Sequence, residues 1–176
     1  TWVHDYAPAI RGLVLASPAF KVKLYVPLAR PALALWHRLR GLFFINSYVK
    51  GRYLTHDRQR VASFNNDPLI TRAIAVNILL DLYKTSERII RDAAAITLPT
   101  QLLISGDDYV VHRQPQIDFY QRLRSPLKEL HLLPGFYHDT LGEENRAQAF
   151  EKMQSFISRL YANKSQKFDY QHEDRT

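Results

Sequence analysis

Three short apolar runs punctuate this chain, and each stops at a turn signal. Ile10-Arg11-Gly12-Leu13-Val14-Leu15-Ala16 ends at Ser17-Pro18. Thr100-Gln101-Leu102-Leu103-Ile104-Ser105 follows Pro99 and stops at Gly106, and Leu127-Lys128-Glu129-Leu130-His131-Leu132-Leu133 stops at Pro134-Gly135. Runs this short, bounded by Gly and Pro, predict buried strands of a parallel sheet. Between and after them the period lengthens. Residues 115–123 bring Ile117, Phe119, Tyr120 and Leu123 near one face, with Pro115 in a first helical turn. Residues 144–160 space Phe150, Met153, Phe156, Ile157 and Leu160 by three and four, an amphipathic helix. Strands alternating with helices predict an α/β class with about three parallel strands.

The stretch 22–95 breaks this rhythm and reads as helical throughout, with Pro27, Pro31 and Pro68 as punctuation. Asp67-Pro68 suits an N-cap and a first helical residue, leading a helix through Ile70, Ile74, Ile78 and Leu82. A helical insertion between two parallel strands is expected to lie over the strand ends as a cap. Four parts follow: 1–21 as the start of a core, 22–95 as the insertion, 96–162 as the rest of the core, and 163–176 as a polar tail or linker.

Composition narrows the classes. With 46% hydrophobic and 23% charged residues, the 176-residue chain reads as globular rather than disordered. The absence of cysteine excludes disulfides, thiolate metal sites and a cysteine nucleophile, and fits a reducing, cytoplasmic compartment. No uninterrupted apolar stretch is long enough to span a membrane. The first residues, Thr1-Trp2-Val3-His4-Asp5-Tyr6, read as the middle of a longer sequence.

The net charge of +7 is concentrated between Phe20 and Arg60. Lys21, Lys23, Arg30, Arg38, Arg40, Lys50, Arg52, Arg58 and Arg60 are opposed there only by Asp57. This is either a solvated basic face or a surface for anionic lipid, nucleic acid or an acidic partner. Trp36, Phe43, Phe44, Tyr48 and Tyr53 in the same stretch form either core or a wall for an acyl chain.

Ligands of an open parallel sheet bind beyond the carboxyl ends of its strands. The second run delivers Gly106-Asp107-Asp108-Tyr109-Val110-Val111 to that rim, and the third delivers Pro134-Gly135-Phe136-Tyr137-His138-Asp139. A carboxylate there fixes an imidazole tautomer and stabilises the imidazolium formed when the base takes a proton. Each motif also has an ordinary turn or surface reading.

Taken together, residues 102–111 and Leu133-Pro134-Gly135-Phe136-Tyr137-His138 resemble the end of an α/β-hydrolase. The nearer match is the monoglyceride lipase and lysophospholipase-like branch, also grouped with serine aminopeptidases. Gly12-Leu13-Val14-Leu15-Ala16-Ser17-Pro18-Ala19 resembles that branch's strand after the nucleophile helix, and Asp67-Pro68-Leu69 a motif at the end of its cap. The resemblance implies the C-terminal part of an α/β-hydrolase fold with a helical cap. It implies Asp108 as acid (Asp107 if the turn aligns differently) and His138 as base.

It also implies a serine nucleophile in Gly-x-Ser-x-Gly, which this sequence lacks. Ser17-Pro18 has no flanking glycines, and Ser105 sits beside the acid rather than across from it, so the nucleophile is expected upstream of Thr1. The 10–16 strand is then expected to keep one unpaired edge, and the chain alone to be inactive and prone to aggregate.

The implied substrate is a small-molecule acyl ester or lipid, with no cofactor and no metal. The remaining histidines (His4, His37, His56, His112, His131 and His172) show no metal-ligand spacing, and His112 either lines the site or lies on the surface. An upstream Asp in place of the serine favours dehalogenation or epoxide opening instead. Outside enzymes, the alternative is a binding module whose basic cap contacts a membrane periphery or an acidic partner. No nucleic-acid partner is expected. Phe168-Asp169-Tyr170 begins either a frayed end or a junction to a methyltransferase domain in a longer protein.

Overall fold

The computed structural model describes residues 1–173, with side chains through Ala162. In chain order the helices and strands are α1 (Trp2–Tyr6), β1 (Leu13–Ala16), α2 (Ala29–Arg40), β2 (Phe44–Asn46), α3 (Arg58–Asn66), β3 (Ala73–Ala75), α4 (Val76–Arg91), β4 (Thr100–Ser105), α5 (Gln114–Arg122), β5 (Lys128–Leu133) and α6 (Ala147–Glu173). Short 3₁₀ turns lie at Gly51–Tyr53 and Ala93–Ala95. The side chains of the expected tail (163–176) and of the Phe168-Asp169-Tyr170 junction lie outside those described. Among the described residues, no helix is long and apolar enough to cross a membrane.

The three expected strands form one parallel sheet in the order β1-β4-β5. β4 is central and every residue in it is buried. Successive strand residues point to opposite faces, which is why a continuous apolar run suits a strand covered on both sides. Leu102 packs with Ile89, Ala93, Ile96, Phe119 and Leu123, from α4, the 3₁₀ turn after it and the α5 region. Leu103 packs on the other face with Leu133, Phe136 and Ala149, joined by Val14 and Met153. Helices therefore cover both faces of the sheet. On its other side β1 has no strand partner among the described residues, as the sequence predicted.

The stretch 22–95 is not helical throughout. β2 and β3 pair antiparallel within it, with Ile45 opposite Ile74. The helix expected to start at Pro68 begins at Val76. Asp67 does not cap a helix that follows it. Its Oδ1 accepts the Leu69 amide at 2.8 Å and its carbonyl accepts the Ile70 amide at 3.2 Å, closing a turn at the end of α3. Strand pairing then takes the backbone of residues 73–75, so Ile70 and Ile74 fall outside the helix. From Val76 the pattern becomes helical, and Val76, Leu79, Leu80, Tyr83 and Ile89 are buried along one face of α4.

Candidate active site

Parallel strands deliver their carboxyl ends to one rim, and register decides whether the loops start level. Ser105 pairs with Leu133, so the loops after β4 and β5 leave the sheet side by side. Gly106 makes their contact possible. A Cβ there would lie 2.8 Å from the Leu133 carbonyl oxygen and 2.9 Å from Pro134 Cα, backbone atoms that cannot swing away. Gly135 takes φ +78, the left-handed region that favours glycine, and turns the second loop back.

These loops bring Asp108 and His138 together. Asp108 is 7% exposed, and its Oδ1 accepts the amides of Val110 (2.7 Å) and Val111 (2.9 Å). Its Oδ2 lies 2.8 Å from His138 Nδ1. An ionised carboxylate only accepts, so Nδ1 carries the proton and donates it, which leaves Nε2 as the basic nitrogen. Among the described residues nothing hydrogen-bonds to His138 Nε2. Asp107, the alternative acid, is exposed and makes no side-chain bond to His138. Lys23 Nζ donates to the Asp108 carbonyl at 2.5 Å, and an antiparallel bridge joins Val22 to Val111, tying the start of the 22–95 stretch to the acid loop.

The two serines of interest are both occupied. Ser17, at φ 40 just after β1, is buried, and its Oγ lies 2.8 Å from Thr140 Oγ1 and accepts the Ser105 amide at 3.3 Å. Ser105 Oγ lies 2.9 Å from the same Thr140 oxygen. The three hydroxyls lock the ends of β1 and β4 to the loop of His138, whose carbonyl accepts the Thr140 amide at 2.9 Å. Neither serine hydrogen-bonds to His138. His112 is half-buried and bonds to neither member of the pair. Burial, then Lys21 and Lys23, hold its pKa below the ordinary value, so it stays neutral at pH 7. No group of three His, Asp or Glu side chains is close enough to hold a metal ion among the described residues.

Beside the pair opens a cavity of about 950 Å³, walled by α2 (Ala29, Ala32, Leu33, Trp36), Phe43, Ile45 and a set of tyrosines. Of the aromatic residues expected as either core or wall, Trp36, Phe43, Tyr48 and Tyr53 line it; Phe44 does not, and is exposed on β2. Two tyrosine hydroxyls are satisfied within the wall. Tyr25 donates to the Tyr109 carbonyl at 2.6 Å and Tyr48 to the Lys23 carbonyl. Burial, reinforced by Tyr25, Tyr83 and Asp108, pushes the Tyr48 phenol up to about 12, so it stays neutral. Tyr109 joins the cavity to the site. It lines the wall, follows Asp108, and meets the ring of Tyr137, the residue before His138, edge-on at 5.0 Å.

Sequence reasoning did not single out Thr140, Glu143 or His56 as part of this region. Glu143 is 2% exposed, five residues after His138, and accepts the amides of Tyr137 (2.7 Å) and His56 (3.0 Å). Burial pushes its carboxyl up, but the bonds from His56 and Tyr137 outweigh that and the pKa falls below its ordinary value. The local signal nearby marks only a helix start: Asp57 caps α3 by accepting the amides of Gln59 (2.9 Å) and Arg60 (3.2 Å).

The family model described as serine aminopeptidase, S33 matches residues 1–145. The chain is 98% identical to the protein YnbC of Escherichia coli (strain K12) over 176 residues, 100% of this chain and 30% of that protein. It is 25% identical to phospholipase YtpA of Bacillus subtilis (strain 168) over 161 residues, 88% of this chain and 61% of that protein. It therefore spans less than two thirds of the length of these curated relatives. Among solved structures, the monoacylglycerol lipase of Paleococcus ferrophilus superposes with a TM-score of 0.78 at 18% identity, covering 89% of this chain and 62% of that one. The fold is that of α/β-hydrolases.

Proposed function

Because the chain belongs to the serine aminopeptidase S33 family, we propose that it supplies the acid and base of a serine hydrolase acting on carboxylic esters of lipid or other acyl substrates. The observation that carries this reading is the 2.8 Å contact between Asp108 Oδ2 and His138 Nδ1, made by a carboxylate whose other oxygen is already held by two backbone amides. Asp108 can turn only one face to the ring, and the ring keeps Nε2 for chemistry.

In the complete enzyme, a serine from sequence outside these 176 residues attacks the ester carbonyl. His138 Nε2 takes the serine proton and gives it to the departing alcohol as the acyl group passes to the serine. It then takes a proton from the water that attacks the acyl-serine and returns it to the serine as the carboxylic acid leaves. Asp108 stabilises the imidazolium in each half of the reaction. The unpaired edge of β1 and the internal bonding of Ser17 and Ser105 support a nucleophile from elsewhere. The 22–95 stretch acts as the cap, and its apolar cavity takes the acyl chain. The names of the phospholipase and monoacylglycerol lipase relatives agree with such a substrate. By itself the 176-residue chain then lacks activity, since it brings neither nucleophile nor oxyanion hole.

The test is ester hydrolysis by the full-length, 98% identical Escherichia coli relative, with substitutions at the equivalent positions. His138→Ala is expected to abolish turnover of p-nitrophenyl butyrate; wild-type turnover in that variant would sink the assignment.

A second reading has its own observation. α2 contains Arg30, Arg38 and Arg40 and no acid, while Leu35, Trp36 and Leu39 on it are exposed. A helix of that kind suits peripheral contact with anionic lipid, with or without catalysis. Vesicle binding that falls with salt and survives His138→Ala supports the contact; salt-independent binding opposes it. A cytoplasmic location, for which the lack of cysteine speaks, belongs to the same proposal. So does a methyltransferase domain in a longer protein, which the downstream coding sequence tests.

A further inference from the structure

The loop that carries His138 is held by a second carboxylate–imidazole pair that the hydrolytic mechanism does not use. His56 Nδ1 lies 3.1 Å from both oxygens of the Glu143 carboxylate, and its ring lies against Tyr137 with centroids 3.8 Å apart. Around this pair the segment 54–57 is sewn to the His138 loop. The Asp139 amide donates to the Leu54 carbonyl at 2.8 Å, and the Thr55 hydroxyl to the Gly142 carbonyl at 2.8 Å. Two ion pairs, Arg60 with Asp139 at 3.8 Å and Arg146 with Asp57 at 3.4 Å, join the same two stretches nearer the surface. The hydroxyl cluster of Ser17, Ser105 and Thr140 secures the loop toward the sheet; Glu143 secures it toward the 22–95 stretch.

We propose that Glu143 and His56 are a positioning pair that seats His138 against Asp108. Glu143 fixes the amide of Tyr137, one residue before the base, and through His56 anchors that amide to a segment lying on another part of the chain. A buried carboxylate with three backbone donors, a hydroxyl donor and a ring donor holds a loop more tightly than neutral bonds do. A base misplaced by about 1 Å loses roughly 10²-fold in rate, so an anchor of this kind acts on turnover rather than on substrate binding. The proposal rests on the reading of His138 as base.

The experiment has two arms. In the full-length relative, labelled on its histidine rings, the Nδ1 proton of the residue equivalent to His138 is followed by NMR in wild type, Glu143→Gln, Glu143→Ala and His56→Ala. In the full-length relative, kcat and KM for p-nitrophenyl butyrate are measured for the same substitutions and for His138→Ala. Glu143→Ala is expected to broaden or lose the Nδ1 resonance. It should lower kcat by roughly 10²-fold with KM within about twofold. Glu143→Gln keeps one acceptor oxygen and should recover part of both signals.

His56→Ala, at a half-exposed side chain, should lower kcat about fivefold and keeps the test open if Glu143→Ala does not fold. An unchanged resonance and kcat in His56→Ala and in the folded Glu143 variants, alongside an inactive His138→Ala, overturn the positioning role alone. An active His138→Ala overturns the base assignment itself, and the positioning role with it.

Discussion

β4 and α2 are both rich in apolar residues, yet the protein treats them in opposite ways. All six residues of β4 are buried; α2, twice as long, has none buried, and Leu39 on it is 71% exposed. β4 is clamped between helices on both faces and ends in a loop where Asp108 has a partner for each oxygen. α2 packs one side over the cavity and leaves the other to the surroundings. The difference teaches where each task sits. The proposed acid stands just beyond the most completely packed strand, and the proposed base just beyond its neighbour β5. The wall suited to an acyl chain stands on a half-packed helix that can adjust to what it meets.

The comparison can be broken or sharpened by measurement. The largest effect belongs to the rim. Asp108→Asn in the full-length relative leaves the fold but favours the wrong tautomer, and kcat for p-nitrophenyl butyrate should drop about 10⁴-fold. A drop under tenfold would mean that rigidity at the end of β4 serves something other than the base.

Next comes packing. Leu103→Ala empties a fully buried site in the second core cluster and should cost about 2–5 kcal/mol by urea unfolding. The acid response of the rim follows. Glu143 has its pKa lowered below the ordinary 4.5 in the folded chain, so the unfolded chain binds its proton more readily. Its contribution is complete above the ordinary value and is lost as pH falls through the folded one. The urea midpoint of wild type should therefore fall more steeply on acidification below pH 4.5 than that of Glu143→Gln. Parallel curves would show that the carboxylate holds no more than a neutral amide does.

The smallest effect belongs to α2. Leu39→Ser should change stability by less than about 0.5 kcal/mol while weakening binding to anionic vesicles. A stability loss equal to that of Leu103→Ala would erase the contrast.

Much of the rim was legible in the sequence. Residues 100–105 read as a strand because an apolar run between Pro99 and Gly106 has no other compact use, and β4 has those bounds. That the loops of Asp108 and His138 share one rim was legible from parallel topology, which puts the ends of neighbouring strands on one edge, while their roles came from the family resemblance. β1 was overextended by three residues: a turn bond from the Ile10 amide to the Pro8 carbonyl delays the strand, which starts at Leu13. The start of α4 was misread because apolar residues four apart at 70, 74 and 78 imitate a helix. The pairing of Ile74 with Ile45 is a long-range fact that no local pattern carries. His56 and Glu143 were illegible for the same reason, since each looks like an ordinary surface residue until the fold brings them together.

That separation along the chain also bears on the order of assembly. The bond between Asp108 and His138 closes 30 residues, whereas the one between Thr55 and Gly142 closes 87. By loop-closure entropy the longer ring costs about 0.9 kcal/mol more. Acid and base can therefore meet while residues 54–57 are still unattached, and contacts of the longer span tend to form late. On the proposed reading, the histidine gains this second anchor only once stretches 87 residues apart have met, which ties the seating of the base to a late stage of folding.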